Sequence, residues 1–221
     1  LRQRACDFDE ELLRPYFELN GVMRGMFSVV ERLYGVKVKE VEVPSWHEDV
    51  LTFEMREPDG RKSVFYADLF PREGKRGGAW MGEVVGRSRA VVDDALAPAL
   101  PGGVATRLPV AHMVCNFGAE QNGRPALLTH DDVITLFHEF GHGLHHMLTQ
   151  IDEHDVAGIS GVEWDAVELP SQFMENFCWE WDVLQDMTSH VDTGEALPRA
   201  LFDKMLAAKN FQSGMQTLRQ V

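Results

Sequence analysis

The sequence predicts an α+β fold, mostly helical, with a small and mainly antiparallel sheet beside one histidine-bearing helix. Three observations lead there. The run THDDVITLFHEFGHGLHHML, residues 129–148, repeats its large apolar residues at helical spacing. Between 36 and 117 the apolar period drops to two, punctuated by proline and glycine. The stretches 1–35 and 129–221 are helical on either side of that region.

In chain order, DFDEELLRPYFELNGVMRGMFSVVERLYG reads as helix, interruption, helix. Pro15 breaks the first segment, because proline lacks the N–H that an interior turn needs. In the second, Val22, Met26, Val29, Val30 and Leu33 form a packing stripe, and Gly35 stops it. Val36, Val38, Val41 and Val43 then suggest a strand ending at Pro44. Leu51 to Met55 and Val64 to Phe70 form a hairpin around Pro58-Asp59-Gly60. Pro71 to Gly82 reads as loop, where Lys75 and Arg76 are either solvated or placed to meet a substrate carboxylate. Ala90 to Gly103 reads as irregular, and Val110 to Phe117 as a further strand, with Asn122-Gly123 as a turn after it. That strand is either interior or an edge on which an extended peptide adds, backbone to backbone. Past the long helix, Gly158-Ile159-Ser160-Gly161 is a turn or a place where backbone approaches a ligand closely. The acid-rich run to Met187 is helical over most of its length, and so is Pro198 to Val221.

The long helix carries the chemistry. At 100° per residue, His142 stands about 40° and His145 about 20° from His138, so three imidazoles share a face. Glu139 flanks that face, while Leu136, Phe140, Val133, Leu144 and Phe137 point the other way. Histidines four apart can reach one zinc ion, which takes imidazole nitrogen at about 2.0–2.1 Å. A glutamate directly after the first histidine is turned away from the ion but is placed to take a proton from activated water. Thr129 offers an N-cap, and Asp131 and Asp132 are first-turn acids. Gly141 and Gly143 each cost about 1 kcal/mol relative to alanine, which implies a close approach by another segment. Zinc needs a third protein ligand, and spacing leaves Glu163, Asp165, Glu168 and Glu175 open. His145 stands almost two turns from His138, too far along the axis to share the ion.

A net charge of −14 argues against a nucleic-acid partner. No apolar run approaches the roughly 18 residues of a membrane span. Cys6, Cys115 and Cys178 form no disulfide pattern and favour a reducing compartment, the cytoplasm. Cys178 is expected in the core.

The runs HEFGHGLHH and VELPSQFMEN, with DLFPREGKRGGAW, AHMVCNF and RPALLTHDDV upstream, resemble the M3 (thimet oligopeptidase) family of zinc metallopeptidases. The resemblance covers most of the chain, with Phe177 standing where tryptophan is expected. It implies a zincin-like fold and one Zn²⁺ held by His138, His142 and Glu168, with Glu139 as general base. It implies hydrolysis of internal bonds in short peptides, and it favours the edge-strand reading of 110–117. On continuous helical spacing, Glu175 or Gln172 could support a ligating histidine through its other ring nitrogen. The family's oxyanion donor is a tyrosine well beyond the zinc glutamate, whereas the tyrosines here are Tyr16, Tyr34 and Tyr66. The chain is therefore expected to be part (1–221) of the catalytic domain of a longer metallopeptidase, weakly active alone, with His190 as a stand-in donor at most. Within it, 1–35 is the helical part, 36–117 the sheet region and 129–221 the zinc-binding helices. Two other readings use the same ligands: a zinc site that only joins two helices, and a hydrolase of a non-peptide amide. A retained Glu139 weighs against the first.

Overall fold

The computed structural model describes residues 7–91, 104–121 and 123–220. Cys6, Asn122 and the expected irregular stretch 92–103 lie outside them. Two short 3₁₀ turns, Glu10–Leu12 and Arg14–Tyr16, precede helix α1, Leu19–Tyr34. Glu18 caps α1 by accepting from the Asn20 and Gly21 N–H groups, and Gly35 ends it at φ 69°, a left-handed conformation suited to glycine. Val22, Met26, Val29 and Val30 are buried as the stripe requires, while Leu33 is exposed.

Five strands build one sheet: β1 (Lys37–Glu40), β2 (Leu51–Arg56), β3 (Lys62–Asp68), β4 (Trp80–Val85) and β7 (Val110–Val114). A separate ribbon pairs β5 (Ser88–Val91) with β6 (Val104–Arg107). The sheet order is β1-β2-β3-β7-β4. The β1–β2, β2–β3 and β4–β7 pairs are antiparallel and β3–β7 is parallel, so the sheet is mixed.

The expected hairpin is β2–β3. The expected edge strand is not β7, which lies between β3 and β4. Its Ala111 and Met113 are buried, and strand pairing uses both of its edges. Among the described residues the sheet ends on this side at β4, which begins inside the stretch read as loop. Gly82 looks like a turn residue, but a β-carbon there would stand 2.3 Å from the His112 ring, so glycine is what lets β4 lie against β7. Strand β1 is shorter than the valine pattern suggested, and Val43 is exposed. Ala90 and Val91 belong to β5 rather than to irregular chain.

Helix α2, His130–Met147, packs across β7, β4 and β3. Its Val133, Leu136, Phe137, Phe140 and Leu144 are buried, and the Phe140 ring lies 5.3 Å from Phe65 and 5.9 Å from Phe27. Helix α3, Leu169–Glu175, lies against α2. A 3₁₀ turn, Asn176–Trp179, leads to α4, Trp181–Met187, which packs on α1. Helices α5, Arg199–Lys209, and α6, Ser213–Gln220, follow. About 40% of the chain is helical, less than the expected majority, because 41–50, 69–79 and 148–168 are largely irregular. Among the described residues no helix is long and apolar enough to cross a membrane.

Candidate metal centre

The N-terminus of α2 is fixed by a capping box: Thr129 Oγ1 accepts from the Asp132 N–H, and Asp132 Oδ2 accepts from the Thr129 N–H at 2.8 Å. With the apolar stripe buried in the core, His138 and His142 turn toward α3. The glycine cost at position 141 is explained by α3 itself. A β-carbon on Gly141 would stand 2.5 Å from the Pro170 carbonyl oxygen and 2.6 Å from Ser171 Cα. Gly143 has no such neighbour; its nearest contact is Met147 Cε at 3.4 Å.

Pro170 sits in the first turn of α3, and Glu168 is the residue just before the helix. That position brings Glu168 over α2. Its Oε2 lies 3.1 Å from His138 Nε2 and 3.2 Å from His142 Nε2. Among the described residues these three form the one group whose donor atoms gather as a metal site requires. Corners of a tetrahedron with bonds of about 2.0–2.1 Å stand about 3.3 Å apart, so two imidazoles and a carboxylate at these separations fit zinc. Glu163 and Asp165, the rival ligands, are exposed in turns ahead of Glu168.

The support around the group is specific. Glu175 Oε1 accepts from His138 Nδ1–H at 2.6 Å, which leaves Nε2 directed at Glu168. Ser171 Oγ, fully buried, lies 2.8 Å from Glu168 Oε2 and 2.9 Å from its carbonyl oxygen, within donating reach of both. The Ser171 hydrogen bond, opposed by burial and aided by His142 and His138, holds the Glu168 carboxyl below its ordinary value. Burial, partly offset by Glu168, pushes His142 down. Gln172 is exposed on α3.

Glu139 is buried, between α2 and the edge strand β4. Burial raises its carboxyl above the ordinary value, His138 and the Met81 backbone oppose this, and Glu168 adds to it. A carboxylate placed this way holds a proton more readily than a solvated one.

Other candidates fall elsewhere. His145 is outside the ligand group; its Nδ1 is buried without a hydrogen bond, and it lines a cavity of about 270 Å³ with Tyr34, Leu148 and Phe173. Lys75 is neither solvated nor open to substrate. Its side chain is 4% exposed, and its ammonium touches Asp68 Oδ1, Asp68 O, Phe70 O and Cys115 O at 2.6–2.9 Å. Arg76 is exposed, with its guanidinium 5.8 Å from the Trp80 ring centroid. The His190 ring packs edge-on against Tyr16 at 5.0 Å, and its Nδ1 accepts from the Asp192 and Thr193 N–H groups. Cys178 is fully buried, and Phe177 packs on Phe173 at 5.4 Å. Sequence reasoning missed Ser171 and β4. Ser171 lies within the run VELPSQFMEN, but its role does not show there, because it acts backward on the residue three positions before it.

The whole chain, residues 1–221, matches the model of "Peptidase family M3". Oligopeptidase A of Escherichia coli (strain K12) is 52% identical over 222 residues, covering 100% of this chain and 31% of that protein. The organellar oligopeptidase A of Arabidopsis thaliana, chloroplastic/mitochondrial, is 47% identical over 225 residues, covering 100% and 27%. Dipeptidyl carboxypeptidase of E. coli is 37% identical over 219 residues, covering 98% and 30%. The chain belongs to peptidase family M3. It spans about a third of the length of these relatives.

Proposed function

We propose that His138, His142 and Glu168 hold one zinc ion, and that the protein carrying this chain hydrolyses peptide bonds in short peptides with Glu139 as general base. The observation that carries this reading is the contact of one Glu168 oxygen with both histidines, with a buried carboxylate one residue along the same helix. Family membership supports it, and so do relatives named as oligopeptidases and a dipeptidyl carboxypeptidase. Zinc, when bound, supplies Lewis acidity toward a carbonyl oxygen and a water molecule. Glu139 takes the proton from that water and returns it to the departing amine. Its buried position favours both steps, because a raised carboxyl both accepts a proton and keeps it until the C–N bond breaks.

The substrate backbone pairs along β4, the edge beside Glu139, in a zincin-like arrangement. This role falls to β4 instead of β7. A purely structural zinc site would have no use for a buried acid at position 139 and generally closes all four positions with protein ligands. Buried, free Cys115 and Cys178 fit a reducing compartment such as the cytoplasm.

The test uses the intact protein and internally quenched peptides of about ten residues. Cleavage should stop on chelation and return with one equivalent of zinc. Cleavage indifferent to chelation, or confined to non-peptide amides, would remove the proposal.

A further inference from the structure

We propose that His146 is a positioning residue that clamps the far end of β4 to α2 and so fixes the edge on which the peptide lies; this rests on the proposed peptidase function. His146 is fully buried and stands seven residues after Glu139, about two turns along the same side of α2. Its Nε2–H donates to the Val85 carbonyl at 3.0 Å. Its Nδ1 makes no hydrogen bond and faces Glu83 Oε2 at 3.7 Å. Strand β4 thus packs against α2, and at Val85 a hydrogen bond from His146 ties the two.

That tie falls where β4 needs it. Pairing of β4 with β7 shifts register between Glu83 and Val85, leaving Val84 as an extra residue that is 49% exposed. A bulge of this kind bends the strand and interrupts its ladder, so pairing with β7 alone does not fix the end beyond it. The loop after α2 presses on the same histidine. A β-carbon on Gly158, whose φ is +61°, would stand 2.9 Å from His146 Cα and 2.9 Å from its Nδ1. From that loop Ser160 Oγ–H donates to Glu83 Oε2 at 3.0 Å. Gly158 therefore makes a close approach to the helix, and one buried ring joins α2, the bulged end of β4 and the loop that leads to Glu168.

Loss of the clamp leaves His138, His142, Glu168 and Glu139 in place and frees the strand end. A peptide paired along β4 would lose binding equally in its ground and transition states, which raises KM and spares kcat. Two variants separate this from a packing role. Glutamine places an amide near the position of Nε2 and reaches Val85 O; asparagine is too short. In the intact enzyme, His146→Asn should raise KM for ten-residue peptides about tenfold, the scale of one lost buried hydrogen bond, with kcat within about twofold. His146→Gln should restore KM to within about threefold. Both should keep one zinc per chain, and β4 amides should exchange hydrogen faster in His146→Asn than in His146→Gln, with or without metal. Identical kinetics and exchange in the two variants, equal loss of kcat in both, or failure of His146→Gln to fold would overturn the clamp. A wild-type enzyme that cleaves no peptide would instead remove the underlying function, and the exchange comparison would still decide whether His146 holds β4.

Discussion

A β-carbon on Gly141 would meet the carbonyl oxygen of Pro170 at 2.5 Å, so α2 and α3 can come together only because residue 141 has no side chain. Glu168 stands two residues before that contact. Gly141→Ala gains helix propensity on α2 and yet must push α3 away. The zinc affinity of the variant should fall by at least about tenfold, as loosened support of a metal ligand typically does. Chelator competition on the folded protein measures this; unchanged affinity would mean that Glu168 is not placed by the helix contact.

Glu139→Gln keeps the size of the side chain and removes its ability to take a proton. Bound zinc should stay at one per chain while turnover of a quenched peptide falls about 10²–10⁴-fold. Near-normal turnover would take Glu139 out of the mechanism.

Glu175 accepts from His138 Nδ1–H at 2.6 Å, which fixes the ring and its tautomer. Removing it as Glu175→Ala should weaken zinc about 10–100-fold. Glu163→Ala, at an exposed position, is the matched control. Equal zinc affinity in the two variants would show that the His138 ring is oriented by packing alone.

Asp68 joins β3 to the segment that leads into β4. It accepts from Trp46 Nε1, Arg72 and Lys75, and its carboxylate is 5% exposed. Burial alone would raise its carboxyl, but hydrogen bonds from Arg72, Lys75 and Trp46 hold it well below the ordinary carboxylate range. A folded pKa below the unfolded one gives stability that is present above about pH 4 and is lost as the pH falls toward the folded value. Asp68→Asn should therefore unfold more easily by about 3 kcal/mol at pH 7, with the gap to wild type closing in acid below about pH 4. Urea titrations at pH 7 and pH 3 give both numbers, and a gap independent of pH would contradict the assignment.

The parts of this molecule legible in the sequence are those set by local spacing. His138, Glu139 and His142 follow from helical geometry, and the apolar stripe from Val133 to Leu144 is buried as the pattern requires. Glu168 was not separable from Glu163, Asp165 and Glu175 by spacing, because its position comes from the contact of Gly141 with Pro170 across two helices. Strand β4 was hidden by Gly82, whose absence of side chain serves the His112 ring rather than a turn. Lys75 read as a basic loop residue because the oxygens that surround it come from Asp68, Phe70 and Cys115, the last of them forty residues away.

The central claim is that one zinc ion is held by His138, His142 and Glu168, and metal content tests it most directly. Wild type and the variants Glu168→Ala, Glu163→Ala and Asp165→Ala, each folded and dialysed against trace zinc, are compared by elemental analysis. One zinc per chain is expected in wild type, Glu163→Ala and Asp165→Ala, and a large loss in Glu168→Ala. Full zinc in Glu168→Ala together with loss in either of the other two would contradict the account.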